Sequence, residues 1–407
     1  MATAAALTVF PDHVPPELRW NHSLREFAHE LDDPFLAVSR LHKGPDIVFA
    51  RDATQERPAW IVTRHALQQE AFVDYEHFSS EGGSGLGQML GNDLRLVPID
   101  YDPPEQTAYR KIFNPFFTPR EIKAMEGPVR ETCDRLIASF VDRGGCEFIE
   151  DFAVPFPSYI FLSLVGMPIE EAPQFIKWEE GLLRGETLED RVAAGLGVMH
   201  YLEGFIEEQR VKPSTALVKA IINANVGDRP ITDMEILGIL YTFYTGGLDT
   251  VYSTLGWIMR HLALDQDLQR HLRANLDLIP QAVDEFARAY SVVSTSRRVA
   301  KDIDFHGVDM REGDLVLMPL FLAGRDPQAW DNPHEIDLNR RPSALTFATG
   351  PHLCVGRHLA LRELRIAVES FLTGFENIHI APGENYAFHT SPVYGIDRLP
   401  LAWKRRV

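Results

Sequence analysis

The sequence predicts a mainly α-helical protein that carries small β-sheets and forms a single domain. Three observations lead to this fold class. From Pro104 onward, apolar residues mostly recur at helical spacing. The stretches 45–63 and 296–320 instead alternate and contain β-branched residues, which is typical of strands. No repeat, low-complexity tract or linker-like segment divides the 407 residues.

The predicted elements fall into two parts of the chain. The N-terminal part, about 1–103, contains a pair of strands joined by a polar turn within 45–63. The helical body covers about 104–407. Its predicted helices are 105–115, 118–142, 148–166, 168–185, 187–211, 214–224, 232–264, 267–274 and 278–291. Prolines such as Pro168 and Pro213 lie near the ends of these segments, where proline begins or breaks helices.

The C-terminal third alternates between the two kinds of element. Within 296–320, the pair His306–Gly307 and the later segment 312–314 (EGD) predict hairpin turns. A further helix is predicted from about His358 to Thr373, and the tail 377–403 predicts short strands.

Composition argues against several classes of function. The formal net charge of −18 disfavours nucleic acid and anionic membrane surfaces as partners. Cys133, Cys146 and Cys354 are too few for a disulfide framework, which favours a reducing cytoplasm. The N-terminal stretch lacks the basic region of a signal peptide, and no uncharged apolar run of about 18 residues predicts a membrane span.

The predicted helix 232–264 carries residues that are unusual in a helix interior. About thirty residues would extend roughly 45 Å, enough to cross the molecule. Gly246 and Gly247 lie near its middle, where each glycine costs about 1 kcal/mol relative to alanine. Asp249 and Thr250 follow among apolar neighbours, where a carboxylate is costly unless paired. Either the helix is kinked around a satisfied Asp249, or the glycines open space for a ligand that Asp249 and Thr250 supply with protons.

A second candidate pair lies on the predicted helix 278–291. Glu285 and Arg288 are three residues apart and therefore share a helical face. This spacing is usual for a solvated surface pair. The apolar flanks would also allow a buried ion pair that fixes the local structure.

Cys354 lies in the loop FATGPHLCVGRHLA, residues 347–360. Its thiol could be a small buried hydrophobe, or a nucleophile if a base is positioned beside it. A zinc site is disfavoured because no second CxxC or HxxxH lies nearby. Gly350 and Gly356 predict a tight loop ahead of a helix, whose N–H donors and dipole favour a thiolate. Such a sulfur is also a good axial ligand for haem iron.

Together these three pieces resemble the cytochrome P450 family of haem-thiolate monooxygenases. The loop matches the family pattern F-x-x-G-x-[HR]-x-C-x-G at Phe347, Gly350, His352, Cys354 and Gly356. The central helix matches [AG]-G-x-[DE]-T at Gly246, Gly247, Asp249 and Thr250, and Glu285 and Arg288 match E-x-x-R. Because order and spacing agree over the whole chain, the resemblance implies the triangular P450 fold as one domain over 1–407.

Within that family, the chain resembles the bacterial camphor hydroxylases. The shared stretches are YDPPEQ (101–106), RPIT (229–232), GGLDT (246–250), FHGV (305–308) and PHLC (351–354). The resemblance implies haem b as cofactor and O2 as co-substrate. Cys354 would be the iron ligand, with Phe347 shielding it, and Asp249 and Thr250 would relay protons.

The remaining cofactor positions follow from the same resemblance. His352, Arg110 and Arg297 match positions that bind the haem propionates. Gln106 lies where many relatives have histidine, as in the camphor subgroup. Glu285 and Arg288 would have a structural role beneath the haem.

The resemblance also implies which residues line the substrate pocket. They are Leu94, Leu96, Thr242, Thr245, Gly246, Val293, Thr295, Pro392 and Val393. Leu94 lies where the camphor enzymes have the tyrosine that holds the substrate ketone, and Thr295 where they have an aspartate. An apolar site discriminates less than one built around a hydrogen bond. We therefore expect the substrate to be a small apolar terpenoid or norisoprenoid such as an ionone, with camphor as the alternative. Either threonine of the central helix could provide a polar contact to it, or could be a satisfied helix threonine.

Electrons are expected from separate proteins, a [2Fe–2S] ferredoxin and an NAD(P)H-dependent reductase, since no flavin or iron–sulfur segment is attached. Ferredoxins are acidic, as is this chain overall, so docking requires a local basic patch. Arg110, Lys111 and Arg357 are the candidates, although each could instead serve a propionate or the plain surface. A cytoplasmic monomer is expected.

Three other functions remain open. A peroxide-driven haem-thiolate enzyme is disfavoured because such enzymes tend to lose the acid–alcohol pair that Asp249 and Thr250 form. A haem-based binding or sensing protein is disfavoured because no sensor partner domain is attached. A hydrolase with Cys354 as nucleophile would lack the thiolate-type spectrum of the reduced carbon-monoxide complex.

Overall fold

The computed structural model of the protein describes residues 10–54, 57–391 and 393–406. The α-helices are α1 Leu24–Ala28, α2 Pro34–Ser39, α3 His65–Val73, α4 Leu86–Leu90, α5 Glu105–Phe113, α6 Pro119–Ala124, α7 Glu126–Ala138, α8 Pro155–Val165, α9 Ala172–Arg184, α10 Leu188–Val211, α11 Ala216–Ile222, α12 Asp233–Gly247, α13 Asp249–Leu264, α14 Gln266–Ala274, α15 Ile279–Ala289, α16 Leu320–Gly324 and α17 Arg357–Gly374. The strands are β1 Arg19–Ser23, β2 Ile47–Thr54, β3 Arg57–Val62, β4 Phe78–Ser79, β5 Gly145–Glu147, β6 Asn225–Val226, β7 Arg229–Pro230, β8 Ser294–Val299, β9 Ile303–Phe305, β10 Val308–Met310, β11 Leu315–Pro319, β12 Phe375–Ile380, β13 Ala387–His389, β14 Gly395–Arg398 and β15 Pro400–Arg405.

The largest sheet joins distant parts of the chain. Its six strands run in the order β1-β2-β3-β11-β8-β4. β11 pairs in parallel with β3, placing Val316 opposite Trp60, and antiparallel with β8. The Trp60 indole donates a 2.8 Å hydrogen bond to Asp314, which strengthens this long-range contact. The sheet thus takes strands from both sides of the boundary predicted near residue 103, and that boundary stays a prediction.

Most predicted helices have a counterpart, but three segments need correction. The segment 118–142 forms two helices, α6 and α7. The segment 148–166 opens with a π-helical turn, Ile149–Ala153, before α8 begins at Pro155, which has no N–H to offer a preceding turn. The segment 168–185 becomes α-helical only at Ala172, after a short 3-10 turn.

The central helix 232–264 is also corrected, because it is interrupted. Leu248, between α12 and α13, has φ −101° and ψ −70°, outside regular helical geometry. On either side of this break the two helices are largely buried, and Leu255, Trp257 and Ile258 are fully enclosed. The pair therefore passes through the core, as the predicted single helix would have done.

One of the two predicted hairpin turns is confirmed and the other is wrong. His306 and Gly307, with φ of 54° and 81°, join the antiparallel strands β9 and β10. Gly313, with φ of 92°, also turns the chain, but the strand that follows it pairs with β8 and β3 rather than with β10. The N–H of Gly313 donates to the carbonyl of Val299, so the 312–314 turn belongs to the β8–β11 pairing.

The strands predicted in 45–63 and in the C-terminal tail are present as β2, β3 and β12 to β15. Within the described residues, no helix is both long enough and apolar enough to cross a membrane.

Candidate active site

The loop before α17 presents the side chain of Cys354. The Cys354 N–H donates a 2.9 Å hydrogen bond to the Phe347 carbonyl, which closes the loop on itself. Gly350 has φ of 66°, and a Cβ there would lie 3.0 Å from the Phe72 carbonyl oxygen, so this turn requires glycine. Cys354 is exposed, whereas Cys133 is buried. The loop therefore holds its thiol open to a ligand.

The groups around the Cys354 sulfur have opposite effects on the pKa of its thiol. Removal from bulk water raises the pKa of the thiol. Hydrogen bonds from the backbone N–H groups of Gly356 and Arg357, and the positive charges of Arg110 and Arg357, act in the opposite direction. These N–H groups lie at the start of α17, where the helix dipole also favours negative charge. Taken together, these surroundings leave the pKa of the thiol raised, which favours the protonated form. A metal ion bound at the sulfur would add a further positive charge and so favour the thiolate.

Three basic side chains gather beside this loop. Arg297 is buried, and burial lowers its pKa to about 10. Burial also lowers the pKa of Arg110. Burial, and then the charges of Arg297 and Arg110, lower the pKa of His352 to about 3, so its imidazole is neutral. His352 contacts the Ser80 hydroxyl at 3.1 Å.

The two arginines have no carboxylate at ion-pair distance among the described residues. Within the described part of the chain, neither Arg110 nor Arg297 forms an ion pair, and the guanidinium of Arg297 donates only to the carbonyl of Ser296. Arg297 is buried with only the more distant charge of Asp102 acting on it, and Arg110 is half-buried. Such guanidinium groups are stabilised when a ligand supplies anions. The two carboxylates of a haem fit this requirement, and the exposed thiol fits its iron.

Gln106 holds the Cys354 loop in place. Its side-chain amide donates a 2.5 Å hydrogen bond to the Pro351 carbonyl, and the residue is buried. Lys111, the third residue of the predicted basic patch with Arg110 and Arg357, lies on the same helix as Gln106 and is exposed.

Next to the break in the central helix, the backbone opens onto empty space. Gly246 is exposed although its neighbours Tyr244 and Leu248 are buried, and a Cβ added there would meet nothing within 4 Å. The Thr250 hydroxyl donates a 3.0 Å hydrogen bond to the Gly246 carbonyl and so bridges the interruption. The structure has features of both interpretations offered for the glycine pair, because the helix is interrupted at Leu248 and Gly246 also leaves open space.

Asp249 is the centre of a buried polar network. The residue is 1% exposed, and one carboxylate oxygen accepts a 2.5 Å hydrogen bond from Arg184 at the end of α9. Its other oxygen, Oδ2, has no hydrogen-bond partner among the described residues. Arg184 also contacts the Tyr252 hydroxyl and lies 3.0 Å from Nε2 of His389. Asp249 is therefore paired, as a buried carboxylate must be, but one oxygen stays available.

Glu179 adds a further buried carboxyl to this network. Burial and then the charge of Asp249 raise the pKa of Glu179 well above the ordinary value, which favours its protonated form. A surface cavity of 530 Å³ reaches the network, with Arg184, Tyr252 and His389 among the residues on its walls. The sequence did not reveal these partners, since Arg184 precedes Asp249 by 65 positions.

The predicted pocket residues lie on separate segments of the chain, two of which contact another element of the site. Leu94 and Leu96 are buried in a segment that packs against α12, where the Val97 N–H donates to the Gly238 carbonyl. Val293 forms an isolated antiparallel bridge with Val393, which joins two of the predicted positions directly. Pro392 lies outside the described residues.

The three threonines of the pocket differ in their hydrogen bonding. Thr245 donates to the Tyr241 carbonyl at 3.1 Å, as a satisfied helix threonine does. Thr242 on α12 and Thr295 on β8 each carry a buried hydroxyl with no partner among the described residues.

Glu285 and Arg288 form a buried ion pair rather than a surface pair. Both side chains have 0% exposure and meet at 2.7 Å. Arg340 lies 3.0 Å from the same carboxylate, and Arg288 also donates to the carbonyls of Pro333 and Glu335. The pair thus fixes the irregular segment that leads toward the Cys354 loop.

The open cysteine at the start of α17 and the gap in the central helix fit a haem-thiolate protein. Comparison with known proteins agrees with this class. The Cytochrome P450 family model matches residues 182–385. A probable cytochrome P450 127A1 of Sinorhizobium fredii is 34% identical over 401 residues, covering 97% of this chain and 96% of the relative.

Two solved structures extend the comparison to the fold. The crystal structure of cytochrome P450 CYP101C1 is 31% identical, with a TM-score of 0.88 and coverage of 97% of this chain and 100% of that one. The crystal structure of CYP101J2 is 29% identical, with a TM-score of 0.86 and coverage of 98% and 100%. The chain belongs to the cytochrome P450 family and is a monooxygenase, an oxidoreductase that uses haem iron and O2. The predicted family and fold class are confirmed.

Proposed function

We propose that this monooxygenase hydroxylates a small, largely apolar terpenoid or norisoprenoid of the ionone type, with O2 and two electrons from a ferredoxin. The observation that carries the proposal is the apolar character of the predicted pocket segment at Leu94 and Leu96, which packs against the central helix at Gly238. Such a wall contributes to substrate binding through shape and apolar area.

Haem b is the proposed form of the cofactor. Cys354 would bind its iron, and Arg110, Arg297 and His352 would meet its propionates. The unpaired guanidinium groups support this assignment. When bound, the haem supplies O2 binding and oxygen transfer to the substrate, and the thiolate ligand favours O–O cleavage.

The residues of the central helices would supply the protons. Asp249 has a free oxygen and is connected through Arg184 to a cavity at the surface. Thr250, the next residue, has its hydroxyl beside the gap in the helix. We infer that protons pass from the surface to Asp249 and that the Thr250 hydroxyl would present them at the gap beside Gly246, where the haem would supply the oxygen chemistry.

Asp249→Asn tests the first part of this route. The amide keeps the size of the side chain but removes its charge, so turnover should fall more than substrate affinity changes. Steady-state kcat and an equilibrium substrate titration measure the two effects. Unchanged turnover would exclude Asp249 from the proton route.

The electron partner we propose is a [2Fe–2S] ferredoxin reduced by an NAD(P)H-dependent reductase. An acidic partner must find positive charge on a chain whose net charge is −18. Lys111 is exposed on α5, one residue from Arg110, whose charge reaches the Cys354 sulfur. Arg357 begins the helix behind Cys354. The cytoplasmic location and monomeric state stay predictions.

An optical titration of the purified haem protein with β-ionone and with camphor, in parallel, tests the substrate class. A low-spin to high-spin shift with β-ionone alone supports the proposal. A full shift with camphor alone returns the assignment to camphor, and no shift with either ligand removes the substrate class. The spectrum of the reduced carbon-monoxide complex, recorded on the same sample, independently tests whether Cys354 binds the iron as thiolate.

A further inference from the structure

Two threonines lie on the pocket side of α12, but the structure gives them different roles. The Thr245 hydroxyl is used by the Tyr241 carbonyl, one helical turn earlier. Thr242 is 8% exposed, and its hydroxyl has no hydrogen-bond partner among the described residues. Because a buried hydroxyl without a partner costs free energy, nearly all of them are hydrogen-bonded in native proteins. The Thr242 hydroxyl therefore requires a partner that the chain does not supply.

The position of Thr242 on the helix indicates where that partner lies. Gly238, Thr242 and Gly246 follow one another at four-residue intervals and share a face of α12. At Gly238 this face is closed, because an added Cβ would lie 2.3 Å from the Arg95 carbonyl oxygen. At Gly246 it is open, with nothing within 4 Å of an added Cβ. Thr242 lies between them, at the border of the predicted substrate space.

The two leucines of the facing segment offer no free donor to a ligand. The backbone N–H groups of Leu94, Leu96 and Val97 donate to Asn92 Oδ1, to Asp100 Oδ2 and to the Gly238 carbonyl, respectively. The side chains of Leu94 and Leu96 are hydrocarbon. A substrate oxygen buried against these leucines would find no hydrogen-bond donor on them, whereas the Thr242 hydroxyl on α12 is free to donate.

We propose that the Thr242 hydroxyl donates a hydrogen bond to an oxygen of the substrate, and that the preferred substrates are compact cyclic hydrocarbons with one carbonyl or ether acceptor. This inference rests on the proposed function and narrows its substrate class. Thr242 is then a specificity residue, which orients the ring by its oxygen and leaves the hydrocarbon end toward the gap at Gly246.

The test compares ketones with hydrocarbons of the same shape. Binding of camphor and of bornane, and of β-ionone and its analogue with CH2 in place of the carbonyl, is measured by calorimetry on the haem protein. The wild type should bind each ketone about 3- to 10-fold more tightly than its partner, the ratio expected for one net hydrogen bond. Thr242→Val should abolish the preference by weakening the ketones alone.

Three further variants make the result specific. Thr245→Val, in which the lost hydroxyl was already satisfied by the helix, should keep the preference, and Thr242→Ser, which keeps a hydroxyl, should retain most of it. If the wild type shows no preference in either pair, or if Thr242→Val keeps it, the proposal is wrong. If Thr295→Val abolishes the preference and Thr242→Val does not, the donor is on β8 and the proposal is equally wrong. If the reduced carbon-monoxide complex shows no thiolate-type spectrum, the proposed function is rejected. The ratio of ketone to hydrocarbon affinity is measured by calorimetry and does not depend on that spectrum.

Discussion

The substitution Glu285→Gln tests whether the buried ion pair with Arg288 stabilises the fold. The substitution keeps the shape of the side chain but removes its charge, leaving Arg288 at 0% exposure and Arg340 at 12% exposure without a carboxylate. Removing one partner of a buried pair costs about 3–5 kcal/mol, because the remaining charge is desolvated and uncompensated. With two arginines on one carboxylate, we expect the loss to lie toward the upper end of this range.

The chain offers a matched control at the same spacing. Asp267 and Arg270 are also three residues apart, but their side chains are 88% and 60% exposed. Water solvates both groups there, so Asp267→Asn should cost less than about 1 kcal/mol. Urea unfolding of the haem-bound proteins, followed by far-ultraviolet circular dichroism, gives both free-energy differences from the shift in midpoint. Losses of similar size, or a loss below about 1 kcal/mol in Glu285→Gln, would refute the reasoning.

Three other predictions address the site and its surroundings. Thr250→Ala should keep haem binding but divert electrons into peroxide, measured as product formed per NAD(P)H consumed, and wild-type coupling would contradict this. Lys111→Glu should slow ferredoxin-dependent reduction, more so at low ionic strength, whereas Lys43→Glu outside the predicted patch should not; equal, salt-independent rates would reject the patch. Burial lowers the pKa of His261 to about 4, so the unfolded chain takes up a proton below about pH 6.5 that the folded chain resists until about pH 4. The free energy of unfolding should therefore fall as the pH falls through this window, by up to about 1.36 kcal/mol per pH unit from this group. In urea unfolding at pH 7, 6 and 5, the free energy of unfolding of His261→Phe should depend less steeply on pH than that of the wild type. Equal pH dependence in the two proteins would contradict the prediction.

Local patterns in the sequence were sufficient for most elements and for the chemistry of the loop. Periodicity and prolines placed the helices, and the glycines around Cys354 predicted a tight loop at a helix start, which is what the structure shows. The hairpin turn at His306 was predicted from two residues because left-handed backbone is a local property.

The features that sequence reasoning missed depend on contacts between distant residues. The break at Leu248 coincides with a side-chain hydrogen bond to the Gly246 carbonyl, which helical periodicity does not encode. The pairing of Asp249 with Arg184, and of Gln106 with the Pro351 carbonyl, joins segments 65 and 245 positions apart. The prediction of a hairpin at 312–314 was wrong for the same reason, because the strand after this turn pairs with the distant strands β3 and β8.

The parallel contact between β3 and β11 has a consequence for the synthesis of the chain on the ribosome. Trp60 meets Val316 across this contact, so the sheet lacks an inner strand until about 250 further residues have been made. At ordinary rates of translation that delay is on the order of ten seconds or more. During it, the apolar edge of β3 is open to any other extended segment. The nascent protein is thus exposed to aggregation at its N-terminal end, and chaperones that shield early strands should raise its yield more than those that act on the finished chain.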